Sequence, residues 1–274
     1  MSALTLTLKQ RPPRPLDLAP ITPDALQGRP VGEIKALRLA CGKEQLAVEQ
    51  FFDVSGDDTD QLVIRRSNTN LVGIGRGMQR GSIDVQGDAG DGLGHAMSGG
   101  SLRVRGNAGN GVGCGMRGGL IEIAGNAGAF LGAGEAGNQE GMSEGVILIA
   151  GHCGDRIGDQ MRRGLIVVQG DAGDYPGSRM KGGTIVVLGR CGRYPGLNMR
   201  RGTLVLAKSP KQVSASFNSS GVVKMEFLRV LFRELAGRHR SLAFLRGCGP
   251  EAERWMGDLA NGGRGELLVM QNYR

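Results

Sequence analysis

The sequence predicts an all-β protein: a right-handed parallel β-helix with coils of about 19 residues, an N-terminal extension and a short C-terminal tail containing a helix. Three observations predict it. Glycine is 49 of 274 residues, without the three-residue period of collagen, and the interleaved Val, Ile and Leu argue against disorder. The glycine-rich middle repeats on itself, with unit starts at Gly81, Gly100, Gly119, Gly145, Gly164, Gly183 and Gly202, in steps of 19, 19, 26, 19, 19 and 19 residues. A methionine stands three residues before each start, at Met78, Met97, Met116, Met142, Met161, Met180 and Met199.

Within a unit the third and fifth residues are aliphatic, as in Ile83 and Val85, Leu102 and Val104, Ile121 and Ile123, Ile185 and Val187. Period-two alternation is a strand with one buried face. The ninth residue is small: Ala89, Ala108, Ala127, Cys153, Ala172 and Cys191. One such unit cannot bury its own face, so units must stack, with like residues ~4.8 Å apart. The crossover rule makes the stack right-handed, and a left-handed helix of six-residue repeats does not fit the 19-residue period.

In chain order, residues 1–56 form the extension and cap, 57–207 the β-helix and 208–274 the C-terminal helix and tail. "RPPRPLDLAPITPDALQGRP" reads as extended, and the stretch after it offers two strands. A worn first coil begins at Leu62, keeping Met78 without the corner glycines. After Ala207 the pattern stops, and "VVKMEFLRVLFRELAGRHR" carries Val223, Phe227, Val230, Leu231 and Leu235 at helical spacing, with Gly237 as a stop signal. "GRGELLVM" is a candidate last strand, and helix and tail are expected to cap the open end or reach a partner.

Composition narrows function. Net charge is +8, which favours anionic partners, while 4% aromatic residues leave few platforms for bases, so nucleic acid is not expected. Five separated cysteines form no CxxC, the opening residues show no leader pattern, so no signal peptide is expected, and nowhere do about 18 apolar residues run together. A cytoplasmic protein with no membrane association is expected.

No constellation reads as catalytic or as a metal centre. "GCGMRGG" at residues 113–119 has GxGxxG spacing, but a strand follows it where a dinucleotide loop needs a helix. His95 is the best-placed histidine for an acyltransferase, with a polar corner as its plainer reading, and Cys114 lacks an assigned base. Asp84 and Glu122 share a column with Arg103 between them, an exposed charge-alternating face. Asp88, Asn107, Asn126 and Asp171 suit turns that bond their own backbone, without calcium.

Two features remain as candidate sites. The third unit carries seven extra residues, "GAGEAGNQEGMSEG", and insertions in solenoids make specific contacts, so Glu135, Asn138, Gln139 and Glu140 form a candidate partner-contact loop. Basic residues precede several unit starts: Arg80, Arg117, Arg162, Arg163, Lys181, Arg200 and Arg201. Stacked like charges repel by roughly 1 kcal/mol per neighbouring pair even in water, so the strip reads either as a solvated edge with counter-ions or as a docking strip for an anionic partner subunit or polyanionic cofactor.

The units "GNAGNGVGCGMRGGLIEIAGNAG", "GLIVVQGDAGDYPGSRMKGGTIVVLG" and "GNAGAFLGAGEAGNQEGMSEGVILIAG" closely resemble the C subunit of formylmethanofuran dehydrogenase, and more distantly the C-terminal β-helix of the glutamate synthase large subunit. The opening "ITPDALQGRPVGEIKALRLACGKEQLAVEQFFDVSG" also resembles the leader of that dehydrogenase subunit. The resemblance covers roughly residues 20–207. It implies a non-catalytic scaffold in a multisubunit one-carbon complex whose chemistry belongs to other subunits. The 27 arginines against 7 lysines lean toward the formyltransferase/hydrolase complex of methylotrophs. There a formyl group passes from formyltetrahydromethanopterin to a methanofuran-type carrier and is hydrolysed to formate. This chain is expected to bind no cofactor of its own, although a polyglutamate-bearing carrier would give the basic strip a purpose. The alternatives are a subunit of an archaeal molybdenum or tungsten dehydrogenase, a β-helix acyltransferase, and a glutamate synthase-like module.

Overall fold

A computed structural model describes residues 2–135 and 137–271. The described chain is mostly β, 36% strand against 14% helix. Its main sheet has thirteen strands. From Ala3–Leu8 the order runs through Asp58–Ser67, Ser82–Gly87, Ser101–Val104, Arg117–Ile123, Glu144–Ile149, Leu165–Val168, Thr184–Val187 and Arg201–Leu206 to Arg264–Met270, all parallel. Both ends turn antiparallel: Phe52–Ser55 closes one, and Glu251–Gly257 with Asn218–Lys224 closes the other. The parallel core therefore presents no bare edge of its own.

Equivalent residues of successive units are register partners. Ile83, Leu102, Ile121, Ile147, Ile166, Ile185, Leu204 and Leu267 form one continuous line, all at most 1% exposed. Each such side chain contributes about 1.5–3 kcal/mol by leaving water. Bridges outside the strands link Ala89, Ala108, Ala127, Cys153, Ala172 and Cys191 in order, so the small ninth residue is a second line of parallel contact.

The methionines explain the glycines that begin the units. A Cβ on Gly119, Gly145, Gly164, Gly183 or Gly202 would lie 2.7–2.8 Å from the Cε of Met97, Met116, Met142, Met161 or Met180 respectively. Met78 meets Gly100 and Met199 meets Gly265 in the same way. Every one of these methionines is 0% exposed. The thioether arm thus fills the space that a missing side chain leaves in the neighbouring unit.

The corner residues depart from expectation. They do not bond their own turns; each accepts from the backbone of the next unit. The Asn107 N–H donates to Asp88 Oδ1 (2.7 Å), the Asn126 N–H to Asn107 Oδ1 (2.9 Å) and the His152 N–H to Asn126 Oδ1 (2.8 Å). His152 continues the line by accepting the Asp171 N–H on Nδ1 (2.9 Å), and Asp171 accepts from Arg190 (2.7 Å). A second line joins Asp91 to Asn110, Asn110 to Ala129, Asp155 to Asp174 and Asp174 to Arg193. Stacking forces this outcome, because the donors of one corner point at the acceptors of the last.

The termini also correct the sequence reading. The proline-rich segment is not extended throughout: Pro23–Leu26 is a short helix, capped by Thr22 Oγ1 accepting from the Ala25 N–H (3.2 Å), and a second short helix, Val31–Ala36, follows directly after the segment. Arg38–Cys41 and Glu44–Ala47 pair antiparallel in a separate four-stranded sheet. "LTLTL" in Ala3–Leu8, not read as a strand from sequence, buries Leu4, Leu6 and Leu8 beside Asp58–Ser67.

The helix Glu226–Arg238 buries Leu228, Phe232, Leu235 and Ala236, while Phe227 and Val230 stay exposed, Val223 belongs to a strand and Gly237 lies inside the helix. The helix does not plug the end of the stack. With Leu242 and Leu245 it covers the outer face of the main sheet over Leu148, Val167, Val186, Val205 and Leu268. Arg264–Met270 is the expected last strand, paired in register with Arg201–Leu206.

Candidate functional site

The insertion leaves the stack between two bonded residues. In an ordinary unit the methionine N–H donates to the glycine three residues back, as Met116 does to the Gly113 carbonyl (3.1 Å). In the interrupted unit Met142 makes the same bond to Gly132 (3.0 Å) across the whole insertion. The extra residues are therefore extruded from one turn without disturbing the repeat.

The extruded loop is tied down along its length. Glu135 meets His95 Nε2 through its carboxylate, Glu140 ion-pairs Arg162, and Lys181 Nζ donates to the Gln139 carbonyl (2.7 Å). The Gly134 N–H donates to the Asp159 carbonyl and the Gly141 N–H to that of Gln160, both 3.1 Å. The Gln160 amide, oriented by its neighbours, donates to the carbonyls of Asn138 (2.8 Å) and Gln139 (3.2 Å). Asp159 is buried beneath, accepting from Ser178 Oγ (2.8 Å) and Arg179 Nε (2.9 Å). That bond and the Asp159 charge raise the guanidinium pKa of Arg179. Glu135, Asn138, Gln139 and Glu140 are all exposed.

The basic residues divide into unlike groups. Arg162, Lys181 and Arg200 stand at one position of three successive units, two residues before Gly164, Gly183 and Gly202. At the corresponding position of earlier units stand Ser98, Arg117 and Ser143, so the strip is continuous only in the C-terminal half. Arg80 lies apart, held by Asp60 (3.4 Å) and Asp24 (3.8 Å). Arg117 faces Glu144 in register. Arg163 and Arg201 are exposed, and Arg201 is register partner to Arg264, a cation that the repeat pattern did not include. Beside the loop, Arg179, Lys181, Arg200, Asn198, Gln160 and Gln139 wall a polar groove of about 340 Å³. Three cationic side chains with amides between them form a donor set suited to carboxylates or phosphates.

A second depression of about 540 Å³, also beside the loop, includes Cys114, Phe130 and Asp159. Sequence reading found no histidine for Cys114, yet His95 occupies the same place one unit earlier, and the Ala96 N–H donates to the Cys114 carbonyl (2.8 Å). The thiol is unsuited to attack. It is buried, donates to the Phe130 carbonyl (3.3 Å), and burial pushes its pKa up to about 11. His95 engages Glu135 through Nε2, and its Nδ1 is buried without a partner. Burial likewise pushes Cys153 and Cys191 up to about 12, consistent with packing in the small-residue line.

Arg103 does lie between Asp84 and Glu122 in register. It bonds Glu122 (2.8 Å), and Arg105 bonds Asp84 (2.7 Å). Partial burial pushes the Asp84 carboxyl up, but hydrogen bonds from Arg105 and Gln86 outweigh it and hold the group below its ordinary value. Among the described residues no three His, Cys, Asp or Glu side chains converge as a metal site, and no helix is long and apolar enough to cross a membrane.

The GXGXG motif model matches residues 69–232. The chain also superposes on a chain of the crystal structure of the formyltransferase/hydrolase complex (FhcABCD) from Methylorubrum extorquens in complex with methylofuran. The TM-score is 0.90 at 36% identity, covering 98% of this chain and 100% of that one. Among curated relatives, it is 39% identical over 86 residues to the C subunit of the formyltransferase/hydrolase complex Fhc of Methylorubrum extorquens, covering 31% of this chain and 32% of the relative. It is 36% identical over 93 residues to the C subunit of the tungsten-containing formylmethanofuran dehydrogenase 2 of Methanothermobacter wolfeii, covering 32% and 34%. The aligned segment thus spans about a third of the length of the curated relatives it matches.

Proposed function

Because the chain belongs to the GXGXG motif family and is homologous to the C subunits of the formyltransferase/hydrolase complex and of formylmethanofuran dehydrogenase, we propose that it is a scaffold subunit of a formyltransferase/hydrolase complex. The observation that carries this reading is the end-to-end match, at 36% identity, to a chain of that complex. In it, partner subunits move a formyl group from formyltetrahydromethanopterin to a methanofuran-type carrier and hydrolyse it to formate. This chain arranges those partners. The inert, buried Cys114 supports placing the chemistry elsewhere.

The parallel strands one unit apart, with their second line of bridges, support a right-handed parallel β-helix over 57–207, flanked by the extension and cap 1–56 and the tail 208–274. In this reading Glu135, Asn138, Gln139 and Glu140 contact a partner, on a loop that Arg162 and Lys181 hold in place. The groove at Arg179, Lys181 and Arg200 fits the acidic part of a carrier by the chemistry of its donors. Arg163 and Arg201 extend the same cationic edge, whereas Arg80 and Arg117 serve the fold locally.

Native purification of the tagged chain from its own cells tests the proposal. Formyltransferase and hydrolase subunits should co-elute in fixed ratio, with formyl transfer in the complex and none in the isolated chain. Activity of the chain alone, or elution without those subunits, overturns it. Within the complex, Arg162→Glu with Arg200→Glu should reduce assembly or carrier retention. Unchanged binding at moderate salt removes the strip from the proposal.

A further inference from the structure

We infer that Phe130, Arg156, Tyr175 and Tyr194 form a docking ridge for a carboxylate-bearing face of a companion protein subunit. The inference rests on the scaffold reading above and names the surface through which it operates.

The four residues occupy one position in four successive units, and in the two units before them that position is Gly92 and Gly111. The backbone is left-handed throughout: φ is 72° and 70° at the glycines, then 62°, 59°, 61° and 54° at Phe130, Arg156, Tyr175 and Tyr194. The same bond ties each of these positions to the next unit, from the Gly92 N–H to the Asn110 carbonyl (2.9 Å) through to the Tyr194 N–H and the Gln212 carbonyl (2.8 Å). Glycine adopts this conformation freely; a residue with a Cβ is strained in it. Four consecutive units nonetheless carry large planar side chains here.

Burial in the stack does not offset that strain. Phe130 is 46% exposed and the other three are only half-buried. What they form is a surface: the Arg156 guanidinium lies 5.2 Å from the Tyr175 ring centre, and Tyr175 and Tyr194 stack at 5.8 Å with 21° between their planes. Tyrosine, arginine and phenylalanine held rigidly before contact are the residue types that anchor protein interfaces.

Charge and continuity indicate the occupant. Among the described residues no carboxylate ion-pairs Arg156, whose charge rests on the Tyr175 ring. Next to the ridge, Arg193 is bonded to Asp174 (2.8 Å), and Lys211 also acts on that carboxylate. Phe130 lines the same depression as Glu135, Asn138 and Gln139, so the ridge continues the insertion loop as one face. That face offers π surfaces and an unpaired guanidinium, and carboxylates on a partner complete it.

Hydroxyl-radical footprinting of the free full-length chain and of the purified complex tests this. Tyr175 and Tyr194 should be labelled at least fivefold less in the complex. Tyr175→Gly with Tyr194→Gly should leave the melting temperature of the isolated chain unchanged or higher, because glycine relieves the backbone, yet weaken assembly at least tenfold. Arg156→Glu should weaken assembly similarly, and Arg156→Lys much less. Equal labelling in a complex that does form, assembly within twofold of wild type, or a melting temperature lowered by the glycine pair overturns the ridge while leaving the scaffold reading standing. Protection in a dimer of this chain overturns the carboxylate-bearing partner. A wild-type chain that assembles with no companion overturns the scaffold reading, and the ridge with it.

Discussion

The two halves of the main sheet share an interior and differ outside. Along the inner line, Ile83, Leu102 and Ile121 are as buried as Ile166, Ile185 and Leu204. Along the outer line, Asp84, Arg103 and Glu122 in the N-terminal half are exchanged for Leu148, Val167, Val186, Val205 and Leu268 in the C-terminal half. The first set forms ion pairs in water; the second lies under the helix Glu226–Arg238. Where the two regimes meet, His239 at the end of that helix has Nδ1 3.3 Å from Glu122 Oε1. The comparison teaches that the inner lines make the stack, and the outer residue of each unit decides what lies against it.

The most severe way to break this contrast is Val186→Asp. A charge without a partner beneath the helix should cost more than about 3 kcal/mol, read as a lower denaturant midpoint. The reciprocal change Arg103→Val removes one exposed ion pair and should cost less than about 1 kcal/mol. Equal losses would mean that the halves do not differ as described. Phe232→Ala should cost about 3–4 kcal/mol and act locally. Amide exchange should then quicken along Glu226–Arg238 while the strands Ser82–Gly87 and Ser101–Val104 keep their protection.

Gly183→Ala probes what the halves share. Its Cβ would meet the Met161 methyl at φ 93°, so a loss of about 2–4 kcal/mol is expected. Combined with Met161→Ala the total should fall short of the sum of the singles, since each change empties or fills the same space.

The smallest effect concerns pH. Asp171 is held below the ordinary carboxylate value by the Arg190 N–H, and Asp174 by the Arg193 N–H and side chain. A depressed folded pKa supplies stability that is present above the unfolded value and lost as pH falls through the folded one. The melting temperature should therefore drop below about pH 4. Asp174→Asn retains an acceptor for the backbone, as Asn107 and Asn110 do in the other half, but loses the charge that Arg193 favours, so it should flatten that drop by slightly lowering the melting temperature at neutral pH.

Much of the interior was legible in the sequence, because every unit repeats the same demand at its first, third, fifth and ninth residues. The change in the outer line was legible too, as alternation in "SLRVRG" becoming the unbroken "LIVV" and "TIVV", although only its charged half, Asp84, Arg103 and Glu122, figures in the sequence reading. The helix was placed correctly with the wrong stripe. Its apolar residues fall in several phases, and the face that the sheet offers selects Leu228, Phe232 and Leu235 over Phe227 and Val230. The basic strip looked continuous because residues one and two places before the glycines were merged. Stacking separates them, and Asp24, from the N-terminal extension, with Asp60, on the strand beside Ser82–Gly87, neutralises Arg80. The tethering of the insertion by His95, Arg162 and Lys181 depends on contacts across units that no local pattern displays.

The fit of each methionine to a glycine further along also makes the length of this molecule discrete. Removing or duplicating the residues between one unit start and the next, such as 100–118, brings each methyl to an equivalent vacancy. Cutting at any other spacing sets a methyl against a side chain. The protein can therefore grow or shrink only in whole steps, like a ratchet whose teeth are spaced at one turn of chain, and its reach along the stack is counted in units.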